Sequence, residues 1–583
     1  MLLLVLAVAI QAPGAATDRT AQKNVTRSLK ALSLRDKAAQ LVMIPFSGHA
    51  ISTRTREYRK FVHLIRDVHV GGLILVNVAQ GRLVQRPEPH ELASFLNRLQ
   101  RMSPLPLLVS GDFERGASMR VNGTTVFPHA MAFAAAGDPA LTRYEGEVTA
   151  KESRAIGVQW VFYPDADVNN NPDNPIINIR SFGENPQVVT RHVEAFIEGA
   201  ESDRRARVLT TAKHFPGHGD TATDTHLGLA TITADRQHLD QVELVPFRAA
   251  IAKGVDSVMT AHISVPALNT GEVPSTLSPE ILTKLLRDEM HFQGLTVTDA
   301  LDMGAIVKAF GPADASVKAL EAGADVLLMP PDAEVAVNAI VAAVRRGRIS
   351  QKRLDQSVSR VLAAKMKLGL DRGRLVDLEA IDDVVNSPEA NERAQEVADR
   401  AVTLLRNDTQ IPLRQPLKTC FVVLAESHYS NEGLVFTQEI HKRTPDALVL
   451  TLDPSLPDAA LDVAATRVGF CDATVVAAFV SVAARANTAL SPEFAKLVDT
   501  LIALGKPVTL IALGNPYLLR AFPKVAAYLT TYSTVAPSEM SAVKALFGET
   551  PIRGRLPVTI PELAKYGDGI QLPATAAAPA PPK

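Results

Sequence analysis

Residues 207–226 read RVLTTAKHFPGHGDTATDTH. The opening, Val208 to Thr211, is apolar and β-branched, the pattern of a buried strand. The next helical pattern begins near Arg236. A connection of about 20 residues is far longer than most strand-to-helix links, and loops of that length are usually functional or disordered. This one carries His214, His218, Asp220, Asp224 and His226, with Lys213 at the strand end. Groups that move protons or grip polar ligands, gathered on a long loop after a strand, mark an active-site loop.

That strand is one of eight similar runs. Before it come AQLVMIPF near 39, GGLILVNV near 71, PLLVSGDFE near 106 and VQWVFYPDADV near 158; after it come VDSVMTAHIS near 255, GLTVTDAL near 294 and ADVLLMP near 324. Eight runs alternating with amphipathic stretches predict an α/β fold with an N-terminal (β/α)8 TIM-type barrel, here over 17–372. A doubly wound open sheet is the alternative. Many runs end in polar groups (Asp112, Asp165, Asp167, Lys213, His214, His262, Asp299), as a barrel active site requires. Residues 373–392 are polar and read as a linker, leading into a helix around Arg393 to Leu405. The runs KTCFVVLAE, ALVLTLD, ATVVAAFVS, PVTLIALG and AAYLTTYS then predict a smaller αβα sandwich over 393–571. No motif stands out there, so the chemistry is assigned to the first domain.

Composition narrows the classes. A chain of 583 residues exceeds one comfortable hydrophobic core. Lys+Arg (61) nearly cancels Asp+Glu (62), which leaves no net electrostatic footprint for nucleic acid or an anionic membrane. Residues 1–16 form an apolar run with a small-residue end, too short to span a bilayer, and resemble an export signal without its basic start. Cys420 and Cys471 each stand beside an apolar run, which favours two buried free thiols over a disulfide. The Ala/Pro stretch 572–583 is expected to be disordered.

Asp224 and His226 are one residue apart. On an irregular loop the carboxylate can accept from one imidazole nitrogen while the other faces a reaction centre, which fixes the tautomer and makes the histidine a usable acid. An ordinary surface Asp–His bond is the competing reading, and the setting on a long loop after a barrel strand outweighs it. Asp299 closes GLTVTD and can project over the barrel mouth as a nucleophile, or merely cap the next helix. Asp302 falls after the strand end and belongs by pattern to that helix. Asp112, Arg180, Lys213 and His214 come from several strand ends, which suits a ligand with many hydroxyls. His214, His218, Asp220, Asp224 and His226 could ligate zinc, but their spacing matches no established zinc pattern.

With KHFPGHGDTATDTH, TVTDALDM, NNNPDNPIINIRSFG and VMTAHIS on the page, the chain resembles the family-3 glycoside hydrolases, in particular their β-N-acetylglucosaminidases. The resemblance spans about residues 35–370 and implies a retaining mechanism without metal or other cofactor. It makes Asp299 the nucleophile, His226 the acid/base and Asp224 its partner, with Asp112, Arg120, Arg180, Lys213 and His214 holding the sugar. One segment departs: the family's D-x-E-G-G turn reads GDFERGASMR here, with Arg115 in place of the first glycine, which loosens the transfer to Arg120. The implied reaction is removal of terminal β-linked N-acetylglucosamine from peptidoglycan fragments or chitooligosaccharides, with carbohydrate as the partner. Phosphorolysis at the same site and silent sugar binding are the alternatives.

Overall fold

The computed structural model describes residues 14–80, 83–268, 270–414, 418–482 and 488–575. Eight short strands carry the first domain: β1 (Val42–Phe46), β2 (Gly72–Leu75), β3 (Leu108–Gly111), β4 (Trp160–Val161), β5 (Thr211–Phe215), β6 (Ser257–Thr260), β7 (Leu295–Val297) and β8 (Leu327–Leu328). They are the eight runs expected. All neighbours are parallel: Val42 pairs with Leu327 in β8, Met43 with Gly72, Gly72 with Leu108 and Ser110 with Trp160. Thr211 pairs with Ser257 and Ser257 with Leu295, while single bridges at Trp160–Leu209 and Val297–Val326 join β4 to β5 and β7 to β8. The circle therefore closes, and the open-sheet alternative falls.

Closure follows from composition. The strands are buried on both faces, so they must be covered outside by helices and filled inside by side chains. Trp160, wholly buried, fills the interior and spends its one donor on Thr211 Oγ1 and Ser257 Oγ at 2.9 Å each. Helices Pro89–Met102, Pro139–Ala155, Pro186–Glu201, Leu244–Lys253 and Pro312–Ala322 lie among the outer elements. The expected export signal lies outside the described residues as far as position 13; Gly14 already begins a helix that runs to Ala31.

The second domain is a six-stranded sheet with β9 (Thr403–Asn407), β10 (Thr419–Leu424), β11 (Val449–Leu452), β12 (Ala473–Val480), β13 (Val508–Gly514) and β14 (Ala527–Thr530). Its order is β9-β14-β13-β12-β10-β11, parallel except for β9 against β14. Along β12, Val475, Ala477 and Phe479 join one core, while Val476, Ala478 and Val480 join the other. Period-two alternation between two apolar layers is what an αβα sandwich demands of a central strand.

Three expectations need correction. The helix before this domain is Pro388–Ala401, and the segment expected to continue it to Leu405 is instead strand β9. Val402 leaves helical geometry at φ −52°, ψ 118°, and Leu404 is wholly buried in the sheet, so tertiary pairing overrides the local helical pattern. Cys420 and Cys471 form a disulfide, with their Cα atoms 5.8 Å apart. Cys471 lies just before β12, whose register pairs Cys420 with Thr474, and the turn leading into β12 brings together two cysteines 51 apart in sequence. The tail expected to be disordered from Leu572 begins as an antiparallel bridge to Ile552, and the Thr575 N–H donates to the Gly548 carbonyl at 2.8 Å; residues 576–583 lie outside the described residues. No described helix is long and apolar enough to cross a membrane.

The two domains meet beside the barrel mouth. His129 Nδ1 bonds Ser533 Oγ at 2.7 Å, Asn169 Nδ2 donates to Tyr517 Oη at 3.1 Å, and Asn178 Nδ2 donates to Asn515 Oδ1 at 3.2 Å.

Candidate active site

A cavity of about 510 Å3 opens at the C-terminal end of the barrel strands. Asp112, Arg120, Arg180, Lys213, His214, His226 and Asp299 all line it. Asp224 stands behind His226, with its side chain 8% exposed against 31% for the histidine. Val482 adds an apolar contact from the second domain, so that domain contributes a wall although the polar groups come from the first.

Glu114, just after β3, is the hub of the polar floor. Arg180 grips both its oxygens, from Nε and Nη2 at 2.8 Å each, and Lys213 Nζ donates to Oε1 at 2.6 Å. Burial would raise the Glu114 carboxyl, but Arg180 and Lys213 outweigh it and hold it well below its usual range. Lys213 Nζ also donates to Asp112 Oδ1 at 3.2 Å, and Arg120 Nη2 to Asp112 Oδ2 at 3.2 Å. Asp165 is the counter-example. Burial and then Glu114 push it up to about 7, and its oxygens find only ion-pair neighbours at 3.7 Å.

Asp167 organises the start of the long loop. It accepts from the backbone N–H of His214 at 3.1 Å, that of His218 at 2.7 Å, and His214 Nδ1 at 2.8 Å. With Nδ1–H committed there, Nε2 of His214 faces the cavity. Burial opposes charge on His214, yet Asp167 prevails and raises its pKa. Gly219 explains the glycine-rich spelling: a Cβ there would stand 1.7 Å from the Val168 carbonyl oxygen. The loop can pass so close to the segment that follows β4 only with glycine at that position.

Further along, Asp224 Oδ1 accepts from both the backbone N–H and Nδ1 of His226 at 2.8 Å. Nε2 of His226 is left as the ring's working nitrogen. This segment rests on the turn that follows Asp299: the Ala305 N–H donates to the Thr225 carbonyl at 3.3 Å, and Lys308 Nζ to the Leu227 carbonyl at 2.6 Å. A Cβ at Gly304 would lie 2.6 Å from the His226 carbonyl oxygen.

Asp299 follows β7 and accepts from the Ala300 N–H at 2.7 Å. Burial opposes its charge, but His262, His214, that N–H and His226 together lower its pKa, so the carboxylate is ionised near neutrality. The helix it was able to cap, Gly304–Val307, is preceded by Met303 instead. Asp302, expected within that helix, lies in the turn before it and also lines the cavity. His262 bonds Thr276 Oγ1 at 2.7 Å and the Ala300 carbonyl at 2.9 Å, bracing the same turn; burial lowers its pKa.

Four of the five groups weighed as zinc ligands fall in three separate places, and the fifth, His218, bonds Thr221 Oγ1 and Thr225 Oγ1. His214 stands with Asp165 and Asp167, Asp220 with His238 and Glu243, and Asp224 with His226. The sequence reading had no signal for Glu114 as the hub or for Asp167 as the clamp beyond their places after strand runs. Which partner each carboxylate takes depends on contacts 47–99 residues apart.

A closed parallel barrel whose mouth gathers carboxylates, histidines, arginines and a lysine around one cavity is built to act on a small polar ligand. Comparison with known proteins makes this more specific. Residues 33–364 match the glycosyl hydrolase family 3 N terminal domain and residues 402–578 its C-terminal domain. The chain belongs to glycosyl hydrolase family 3. It is 34% identical over 411 residues to beta-hexosaminidase A of Pseudoalteromonas piscicida, covering 65% of this chain and 67% of that protein. It is 33% identical to a beta-N-acetylglucosaminidase/beta-glucosidase of Cellulomonas fimi, covering 61% of this chain and 63% of that one. The aligned stretch thus spans about two thirds of these relatives' length. A solved family 3 beta-N-acetylglucosaminidase from Paenibacillus sp. str. FPU-7 superposes with a TM-score of 0.80 at 33% identity, covering 91% of this chain and 99% of that one.

Proposed function

We propose that the protein is a retaining glycosidase that removes terminal β-linked N-acetylglucosamine. The observation that carries this is one cavity lined by an ionised Asp299 from β7 and by His226, whose Nδ1 is held by Asp224. In this reading Asp299 attacks the anomeric carbon while His226 Nε2–H protonates the departing oxygen, giving a glycosyl-aspartate. Neutral His226 then takes a proton from water as it displaces the aspartate. Retaining enzymes hold the two groups about 5–5.5 Å apart. A histidine acid ends neutral after donating, so it adds no second anion beside Asp299. Asp112, Arg120, Arg180, Lys213 and His214 hold the sugar hydroxyls. The relatives named beta-hexosaminidase and beta-N-acetylglucosaminidase favour the N-acetylated sugar.

The test compares aryl β-N-acetylglucosaminide with aryl β-glucoside and follows the product anomer by NMR. Faster turnover of the acetylated glycoside with retained configuration is expected; inversion, or preference for glucoside, refutes the reading. A 2-fluoro sugar should label Asp299, and a label on Asp302 would reassign the nucleophile. A second reading, phosphorolysis, is favoured by a histidine standing where a carboxylate would repel phosphate; release of sugar 1-phosphate in phosphate buffer would establish it.

The natural substrates we propose are peptidoglycan fragments or chitooligosaccharides, met outside the cytoplasm. The apolar run at 1–16 and the disulfide support export, since disulfides persist in oxidising compartments. Cell fractionation together with thiol titration of the denatured, unreduced protein tests it. Two free thiols in a cytoplasmic fraction would refute it.

A further inference from the structure

The segment after β3 carries positive charge that its neighbours do not offset. Arg115 and Arg120 line the cavity together. The nearby carboxylates are already taken: Glu114 serves Arg180 and Lys213, and Asp112 is shared between Lys213 and Arg120. Among the described residues no carboxylate lies within ion-pair range of Arg115, and its guanidinium makes no hydrogen bond. The Nε atoms of Arg120 and of Arg86 are buried without partners among the described residues.

Positive neighbours outweigh Glu114, the one carboxylate that acts against them, in the electrostatics around these groups. Burial, then Arg86 and Arg120, push the Arg115 guanidinium down to about 9. Burial and then Arg120 lower Arg86. Burial, then Arg115, take His129 down to about 3. Arginine stays protonated at neutral pH in each case. The cluster is therefore positive and short of a counter-ion.

Its position decides what that counter-ion belongs to. In the closed eight-stranded circle β3 lies four strands from β7 in either direction, so Arg115 stands across the mouth from Asp299. A sugar whose anomeric carbon meets Asp299 and His226 presents its far carbons, C4 and C6, toward the β3 side. A phosphate attacking the anomeric carbon would have to bind at the opposite end.

We propose that Arg115 and Arg120, with the charge of Arg86 behind them, form an anion subsite that selects glycons bearing a sulfate ester, phosphate ester or carboxylate at position 4 or 6. This rests on the reading that Asp299 and His226 mark the anomeric end. Guanidinium pairs planar and tetrahedral oxyanions through two parallel N–H donors, and such charge-assisted bonds are the strong ones.

The test measures kcat/KM for aryl β-N-acetylglucosaminide and for its 4-O- and 6-O-sulfated forms in wild type, Arg115→Gln and Arg115→Lys. One sulfated form should be preferred by about tenfold or more in wild type, the worth of one charge-assisted bond. The preference should shrink with added salt, collapse in Arg115→Gln and recover in part in Arg115→Lys. A wild-type enzyme that favours the neutral sugar, or a preference that Arg115→Gln leaves unmoved, overturns the proposal. Sugar 1-phosphate release that depends on Arg115 overturns it as well, by assigning the cluster to a phosphate acceptor. Calorimetric binding of N-acetylglucosamine against its two sulfates needs no turnover. An enzyme inactive on every glycoside would thus refute the functional reading, and the ratio of Kd values would still decide on the cluster.

Discussion

Asp224 and His226 should behave as one acid, and the structure sets how unequal their losses are. Removing His226 removes the proton donor itself, and general acid help is worth about 10²–10⁴-fold. Asp224→Ala keeps the imidazole but frees Nδ1 and the backbone N–H, both bonded to Asp224 Oδ1 at 2.8 Å. Hydrogen bonds to a charged group contribute about 1.5–3 kcal/mol, roughly ten- to hundredfold. The imidazole side chain is 31% exposed, so water replaces part of that loss and the lower end applies. Asp224→Ala should therefore cost about tenfold in kcat/KM, and His226→Ala more. The assay uses N-acetylglucosaminides with an alkyl or sugar leaving group beside one with an acidic phenol, which needs little protonation. The His226→Ala loss should be much smaller with the phenol, and the double variant no worse than His226→Ala alone, because residues acting as a unit are not additive. Additive losses would show two separate roles. A leaving-group dependence unchanged by His226→Ala would remove it as the acid and point to Asp302 among the cavity carboxylates.

Gly304→Ala places a Cβ 2.6 Å from the His226 carbonyl and should displace the dyad. Misplacement by about 1 Å can cost about 10²-fold, so kcat should fall steeply while the melting temperature moves little; unchanged kcat would refute that seating of the loop. Glu114→Gln removes a carboxylate whose folded pKa lies well below 4.5. Such a group contributes stability that is present above the unfolded pKa and lost as pH falls through the folded one. The variant should be less stable at pH 7, and its unfolding free energy should fall less steeply below about pH 4.5 than that of wild type; parallel curves in urea titrations would refute the hub. EDTA should leave turnover intact, since His214, Asp220 and the Asp224–His226 pair stand in three separate places and His218 bonds two threonines. Activity lost to EDTA and restored by zinc would sink the roles given to His214 and His226.

Strand identity was legible because most barrel strands are apolar runs buried on both faces, with polar groups within or just past their C-terminal ends. The loop 213–226 announced itself through length and donor density, and TVTD placed Asp299 at a strand end. Other features had no local spelling. Leu404 sits in a helix-like context and becomes a strand only because Thr403 pairs with Thr530 across the sheet. Cys420 and Cys471 look like separate buried thiols until the turn before β12 sets Cys471 against the neighbouring strand. Asp112, Glu114, Asp165 and Asp167 are alike in sequence, each an acidic residue just past an apolar run. Glu114 is held ionised by two cations, Asp165 is pushed up to about 7, and Asp167 clamps a histidine. Arg115 shows in the sequence only as a departure from the family's glycine turn, and the fold alone sets it at the cavity beside Arg120. Backbone pattern depends on neighbours in sequence, whereas charge state depends on neighbours in space, and barrel closure alone decides those.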